Sequence, residues 1–254
     1  MTTIQFASDL HLEFRDNTLF MKDNPLNVCG EILVLAGDII LLGEQKLEKH
    51  PFFDWCASHY KETYIIPGNH EYYSGYELAD TLADFEYLLR DNVRYINNKS
   101  VLLDDMEIFF TTLWSPIKED EIVPVQMGLT DCHRIIYQSR RFTSQDYKEV
   151  HYICMNWLRN ALQLSTVNKK IVVTHHCPTL CFRDPRFIES EINSAFCVPL
   201  DEFIMKSDID YWIFGHTHYN GGSNFQIGSA KLLSNQLGYV KYNEHKAFSC
   251  KVYI

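Results

Sequence analysis

Ile4-Gln5-Phe6-Ala7 runs straight into Ser8-Asp9-Leu10-His11, and Ile32-Leu33-Val34-Leu35-Ala36 runs as directly into Gly37-Asp38. The pattern recurs. Tyr64–Ile66 leads to Gly68-Asn69-His70-Glu71, Ile171–Thr174 to His175-His176, and Tyr211–Phe214 to Gly215-His216-Thr217-His218. Each apolar run is short and rich in β-branched or aromatic residues, and several are continuous, as a strand is when both sheet faces are buried. Each ends in metal-ligand side chains. In open α/β sheets the carboxyl ends of the strands are where ligands bind. A lone Asp-x-His or Gly-Asp is ordinarily turn chemistry, but a coincidence at one strand end does not forecast the next four.

Around this frame lie further elements. Ile108–Leu113 reads as another strand. Leu78, Leu82, Phe85 and Leu89 recur at helical spacing after a possible cap at Ser74. Ser144 is a candidate cap for a helix carrying Tyr147, Val150, Cys154, Trp157, Ala161 and Leu164 on one side. A weaker helical pattern runs from Glu44 towards Tyr60, interrupted by Pro51, and the tail from Phe225 to Ile254 reads as β. Strands alternating with helices and followed by a β-rich tail predict an α/β sandwich with some antiparallel pairing. No repeat or low-complexity linker divides the chain, so residues 1–254 are expected to form one domain. Residues 115–143 fit neither period and read as a lid or substrate loop. That segment carries Asp131, His133, Arg134, Arg140 and Arg141, and its cations could reach an anionic ligand.

Composition narrows the function. The 254 residues carry 23 Lys and Arg against 33 Asp and Glu, a formal charge of −10. A surface of that sign repels polyphosphate, so neither an extended nucleic-acid footprint nor an anionic membrane is an expected partner. A small phosphorylated substrate at a local positive centre fits. The eight cysteines contain no CxxC pair and read as buried small side chains in a reducing compartment. Residues 1–7 show no secretory signal and no apolar run is long enough to span a bilayer, so a cytoplasmic protein is expected. Cys177 and Cys181, beside His175, are a possible redox-sensitive pair.

Asp, Asn and imidazole side chains suit Mn²⁺, Fe, Zn²⁺ or Mg²⁺ rather than thiolate-seeking metals. Two such cations need a shared anionic ligand, and an Asp after a Gly that permits close approach can bridge them. A hydroxide held between two cations is a nucleophile near neutral pH. Protons compete for the histidines, so metal affinity should fall in acid.

Taken together, Asp9-x-His11, Gly37-Asp38, Gly68-Asn69-His70-Glu71, His175 and Gly215-His216-x-His218 resemble the motifs of the calcineurin-like metallophosphoesterase superfamily. Ser8 to Phe14, Thr174-His175-His176 and Asn235…Gly238-Tyr239 are similar to a group of small bacterial and phage-type phosphoesterases. The resemblance implies a four-layer α/β/β/α sandwich of two mixed β-sheets flanked by helices. It implies that Asp9, His11 and His218 hold one metal, that Asn69, His175 and His216 hold a second, and that Asp38 bridges them. It also implies that His70 sits beside the metals as a catalytic residue, stabilising the transferring phosphoryl group or protonating the leaving oxygen. His176 is left either as a partner behind the ligands or as a substrate contact, and Arg134 as a substrate contact.

Two departures matter. Protein Ser/Thr phosphatases follow Gly-Asp with Asp-Arg-Gly, whereas Gly37-Asp38 is followed here by Ile39-Ile40-Leu41-Leu42-Gly43, which argues against a phosphoprotein substrate. The closer group reads Asn-Pro-Arg-Gly-Tyr near its end, whereas this chain has Asn235-Gln236-Leu237-Gly238-Tyr239. The reading is therefore a dinuclear-metal-dependent hydrolase of a small phosphodiester or nucleotide. A phosphomonoesterase or protein phosphatase, a nuclease and a catalytically weak metal-binding scaffold are the alternatives.

Overall fold

A computed structural model describes residues 2–43, 47–221 and 225–254. In chain order its principal elements are β1 (Ile4–Ala7), α1 (Arg15–Asp23), β2 (Ile32–Leu35), α2 (Pro51–His59), β3 (Glu62–Ile65), β4 (Phe85–Arg90), β5 (Val93–Asn97), β6 (Lys99–Leu103) and β7 (Met106–Thr111). There follow α3 (Ile122–Gly128), α4 (Asp131–Arg134), β8 (Ile136–Tyr137), β9 (Arg140–Arg141), α5 (Asp146–Leu164), β10 (Lys169–Thr174), α6 (Asp201–Lys206), β11 (Tyr211–Phe214), β12 (Phe225–Ile227) and β13 (Ala230–Ser234).

The strands form two mixed sheets. The first has the order β1-β2-β3-β5-β4, parallel except for the β4/β5 hairpin. The second has the order β12-β13-β11-β10-β7-β6, parallel in the middle and antiparallel at both edges. Strand alternation explains the layering. Leu33, Leu35 and Ile65 point outward onto Met21 of α1 and Phe53 and Cys56 of α2. Ile32, Val34 and Tyr64 point inward and meet Ile108, Phe110, Ile171 and Val173 of the second sheet. On the far side Phe109, Val172 and Trp212 pack on Met155 and Leu158 of α5 and Ile204 of α6. The architecture is thus the α/β/β/α sandwich, and continuous apolar strands are its consequence. The chain end returns beside β1, with Ile4 and Ile254 exchanging backbone hydrogen bonds of 2.9 Å.

Several expectations are corrected. Residues 78–89 are not a helix: Leu78–Thr81 is a single 3₁₀ turn, and Phe85–Arg90 is a strand paired with Val93–Asn97. Leu78 and Leu82 belong to a cluster with Trp114 and Tyr147, whereas Phe85 packs on the opposite core, so their spacing does not mark one helix face. Ser74 caps nothing; its hydroxyl donates to the Leu42 carbonyl. The helix expected after Ser144 forms as Asp146–Leu164, but Gln145 occupies the cap and the Ser144 amide donates to Gln126 instead. Pro51 does not interrupt a helix but begins one, at the first turn where its missing N–H costs nothing. Glu44, where that pattern was expected to start, lies outside the described residues. The tail is strand as far as Ser234, turns at Val240–Tyr242 and Glu244–Ala247, and returns to bridge β1 at Tyr253, opposite Gln5.

Residues 115–143 fold into α3, α4 and the β8/β9 ribbon and bury Val125, Cys132, Ile135, Tyr137 and Phe142 against α5. Among the described residues no helix is long and apolar enough to cross a membrane.

Phe110 is fully buried between the sheets. Phe110→Ala is expected to cost about 3–5 kcal/mol, from lost transfer energy plus the cavity left behind. Urea unfolding would read this as a lower midpoint at unchanged slope; a loss under about 1 kcal/mol, beneath that range, would contradict this packing.

Candidate metal centre

The five strand-end segments meet at one edge of the sandwich, where their loops interlock. The amides of Asp9 and His11 donate to the carbonyls of Gly37 and Asp38, both at 2.9 Å. The Gly215 amide reaches the His175 carbonyl at 3.0 Å, and the His216 amide reaches Asp9 Oδ1 at 3.0 Å. Glu71 ties two of these loops together. Its buried carboxylate accepts from the amides of Gly68 (2.8 Å), Asp38 (3.0 Å) and Ile39 (2.8 Å). Burial, with Asp38 beside it, pushes the Glu71 carboxyl up to about 8.

The backbone here is unusual. Asp9, His11, Asp38, His216 and His218 all have φ between 46° and 74°, the left-handed region. For a residue with a side chain this costs roughly 1–2 kcal/mol. Such strain persists only where surrounding contacts over-determine it, and it concentrates at functional sites.

The side chains then converge. Asp9 Oδ1 lies 3.4 Å from His218 Nε2, and His11 Nε2 lies 2.9 Å from the same atom and 3.8 Å from Asp38 Oδ2. On the other side of Asp38, its Oδ1 lies 3.4 Å from His175 Nε2, which is 3.1 Å from Asn69 Oδ1. Asp38, His175 and His216 form a second group close enough to share an ion, next to the group of Asp9, His11, Asp38 and His218. All seven residues expected to bind metal therefore meet around Asp38.

Each histidine has one nitrogen pinned from behind. His11 Nδ1 faces Glu13 at 3.2 Å and His218 Nδ1 faces Glu244 at 2.7 Å. His175 Nδ1 faces the Ala36 carbonyl at 2.9 Å, and His216 Nε2 faces that of Ala195 at 3.3 Å. These partners only accept, so the pinned nitrogens carry the protons and the neutral rings turn bare lone pairs inward. Asn69 follows suit: its Nδ2 donates to Asp131 at 2.9 Å and to Tyr73 at 3.0 Å, which leaves its Oδ1 facing His175. Lone pairs face lone pairs throughout, and two bare imidazole nitrogens 2.9 Å apart require a cation or a proton between them. The donor set fits divalent cations of the Mn²⁺, Fe, Zn²⁺ or Mg²⁺ kind. Protons are the competitor. Burial lowers the His218 pKa, but hydrogen bonds to Asp9 and Glu244 outweigh it and raise it to about 10. For His175 burial is likewise outweighed, here by Asp38, and the result is about 9.

His70 stands beside this set. Its amide donates to Asp38 Oδ1 at 2.9 Å, its Nδ1 faces Glu13 Oε1 at 2.9 Å, and its Nε2 faces the Tyr239 hydroxyl at 3.1 Å. Burial pulls the Glu13 carboxyl up, but His11 and His70 outweigh this and hold it at about 2. Asp38, Asn69, His70, His216 and His218 floor a cavity of about 610 Å³. Its walls come from Phe14, Tyr73, residues 128–130, Arg134, residues 183–197, Tyr239 and Tyr242.

Arg134 lines this cavity and donates through Nε and Nη2 to the Tyr73 carbonyl. Arg140 instead pairs with Asp146, and Arg141 donates to the Arg134 carbonyl. His176 is corrected as a substrate contact: it is fully buried between Trp114 and His216 and does not line the cavity. Cys177 and Cys181 do not pair. Cys177 is buried with its backbone beside Cys197, and Cys181 is exposed. Sequence reasoning assigned no role to Glu13, Glu244, Asp131, Tyr239 or Arg183. Glu13 and Tyr239 sit in motif segments already quoted, but no signal connects Glu244 or Asp131 to the ligands they anchor.

The sequence model of the calcineurin-like phosphoesterases matches residues 2–220. The chain is 30% identical over 280 positions to the uncharacterized protein L509 of Acanthamoeba polyphaga mimivirus, covering 100% of this chain and 96% of the viral one. Among solved structures, phosphopantetheinyl hydrolase from Mycobacterium tuberculosis superposes with a TM-score of 0.70 at 14% identity, covering 99% of this chain and 95% of that one. TT1561 of Thermus thermophilus superposes with a TM-score of 0.52 at 10% identity, covering 92% and 89%. At these identities the two structures bear on the fold.

A β-carbon at Gly68 would run into Asp38 Oδ1 and lie 2.7 Å from the Asp38 amide nitrogen and His175 Cε1. Gly68→Ala should therefore displace the shared carboxylate and leave fewer than two ions per chain after Mn²⁺ loading and dialysis, at an unchanged far-ultraviolet spectrum. Retention of two tightly held ions would contradict the arrangement.

Proposed function

The chain belongs to the calcineurin-like phosphoesterase family, and from that premise we propose that it hydrolyses a small phosphodiester at a two-cation centre. Asp9, His11 and His218 would hold one cation and Asn69, His175 and His216 the other, with Asp38 shared. The observation that carries this reading is the inward convergence, beneath the cavity, of donor atoms that need a cation or a proton between them. When bound, the two cations supply Lewis acidity toward phosphate oxygens and activate water near neutral pH.

The protein's own residues do the rest. Glu13 accepts from His70 Nδ1, fixing the ring so that Nε2 faces the cavity beside the Tyr239 hydroxyl. From there Nε2 can steady charge on the phosphoryl group or protonate the departing oxygen. Burial lowers the His70 pKa, but Asp38 and Glu13 outweigh it, which keeps the ring supplied with that proton. The cavity is of the size that takes a small molecule. Residues 115–143 supply one of its walls through Leu129, Thr130 and Arg134, which we propose act as a cap over the substrate.

The preference for a diester rests on a missing cation. Ile39, Ile40 and Leu42 follow Asp38 into the core, so no arginine stands there to compensate the second charge of a monoester. Leu237, at the arginine position of the closer group, is likewise buried. Arg134 is the proposed contact for a substrate oxygen.

With Mn²⁺-loaded protein, kcat/KM for bis(4-nitrophenyl) phosphate should exceed that for 4-nitrophenyl phosphate. A phosphopeptide preferred tenfold over the diester would overturn the substrate class. His70→Ala should keep both ions and lower kcat on an alkyl ester by about 10²–10⁴-fold, the usual share of general acid catalysis. Near-normal turnover with intact metal content would remove His70 from the reaction.

A further inference from the structure

Two arginines line the cavity, and they differ in what surrounds them. Arg134 lies over the Tyr73 ring at 5.9 Å, on the flank of Asn69 and His70. Arg183 lies on the other flank, in the loop that carries Asp184 and Arg186, and Arg186 reaches within 3.6 Å of Glu244, the partner of His218. Its side chain is half-buried and its Nε donates to the Leu180 carbonyl at 3.1 Å, which fixes the guanidinium plane. The two Nη groups make no hydrogen bond to protein among the described residues, and no carboxylate there pairs with them.

The neighbouring carboxylates are already engaged. Asp184 takes the amide, Nε and Nη2 of Arg186, and Glu244 takes His218 Nδ1 and the Tyr239 amide. Arg186 also reaches Glu244, so both acids have partners of their own. A guanidinium anchored at Nε, with both Nη groups unpartnered among the described residues, has donor positions that a ligand can fill. An oxyanion does so with the fork geometry that arginine presents.

We propose that Arg183 is a specificity residue that binds a second anionic group of the substrate, a phosphate or carboxylate on the arm away from the scissile ester. This rests on the phosphodiesterase reading above and narrows it to diesters carrying a second oxyanion.

The test uses two esters with the same scissile bond and leaving group: thymidine 5′-(4-nitrophenyl phosphate) and its 3′-phosphorylated form. Wild-type Mn²⁺-loaded protein should favour the 3′-phosphorylated ester at least tenfold in kcat/KM, with the difference in KM. Arg183→Met should bring the ratio to near one, and Arg183→Lys should restore part of it. A wild-type ratio near one, or a ratio indifferent to Arg183→Met in protein of unchanged melting temperature, overturns the proposal. If neither ester releases nitrophenolate, the phosphodiesterase reading fails, and calorimetry then decides the subsite. Thymidine 3′,5′-bisphosphate should bind the wild type at least tenfold more tightly than thymidine 5′-monophosphate, and Arg183→Met should erase the difference. Equal affinities in the wild type overturn the subsite as well.

Discussion

Burying the Asp38 carboxylate is the constraint around which this edge of the sandwich is built. It is 1% exposed, between two sheets whose ligand-bearing strands all end at it, and a lone carboxylate in such a place costs several kcal/mol. Burial alone would push its pKa up; His175 and His70 oppose that and hold it well below the ordinary carboxylate value. The surroundings are arranged to hold the group in place. Its amide is fixed by Glu71, its own backbone is left-handed, and Gly37 and Gly68 are glycines because a β-carbon at either would strike His175 or Asp38 itself. The same carboxylate accepts the amide of His70, so the position of the proposed acid follows from that of the shared ligand.

Holding ligands is a smaller task than aiming them. An imidazole can present either nitrogen, and an amide either end. Glu13, Glu244, the Ala36 and Ala195 carbonyls and Asp131 remove those choices one by one. Asp131 shows how far the aim is carried. It is fully buried, takes hydrogen bonds from Asn69, Tyr73 and Tyr147, and comes from the segment between β7 and α5 rather than from any strand end. That segment is therefore fastened to the metal edge at its base while its Arg134 faces the cavity. Outer partners of this kind orient ligands and raise their basicity.

The sequence was legible where burial is two-sided. Tyr211–Phe214 and Ile4–Ala7 are strands at the expected bounds because their residues face one core or the other. The ligands were legible because each follows such a strand within a few residues. Legibility failed where local pattern and tertiary packing disagree. Phe85 and Leu89 stand at helical spacing, yet Phe85–Arg90 alternates in exposure and turns through Asp91-Asn92 into β5, a hairpin signal that the spacing masked. The anchors failed for a different reason. Glu244 lies 26 residues from His218 and Asp131 lies 62 from Asn69, separations at which no local period links an acceptor to the ring or amide it aims.

A division of labour follows from where the cavity's residues come from. Its floor is strand-end chemistry, locked by interlocking loops and strained backbone that tolerate little change. Its walls are Leu129 to Arg134, Arg183 to Cys197 and Tyr239 to Glu244, segments that contribute nothing to the core between the sheets. Three of the five anchors, Asp131, the Ala195 carbonyl and Glu244, come from these same segments, so substitution alters what the site accepts without disturbing the ligands only at wall positions that anchor none of them. Arg183 is the plainest instance: it touches no ligand, and its guanidinium is tied to the protein only through the Nε contact to Leu180. Catalytic chemistry in such an arrangement is a property of the sandwich edge, and selectivity is a property of the loops.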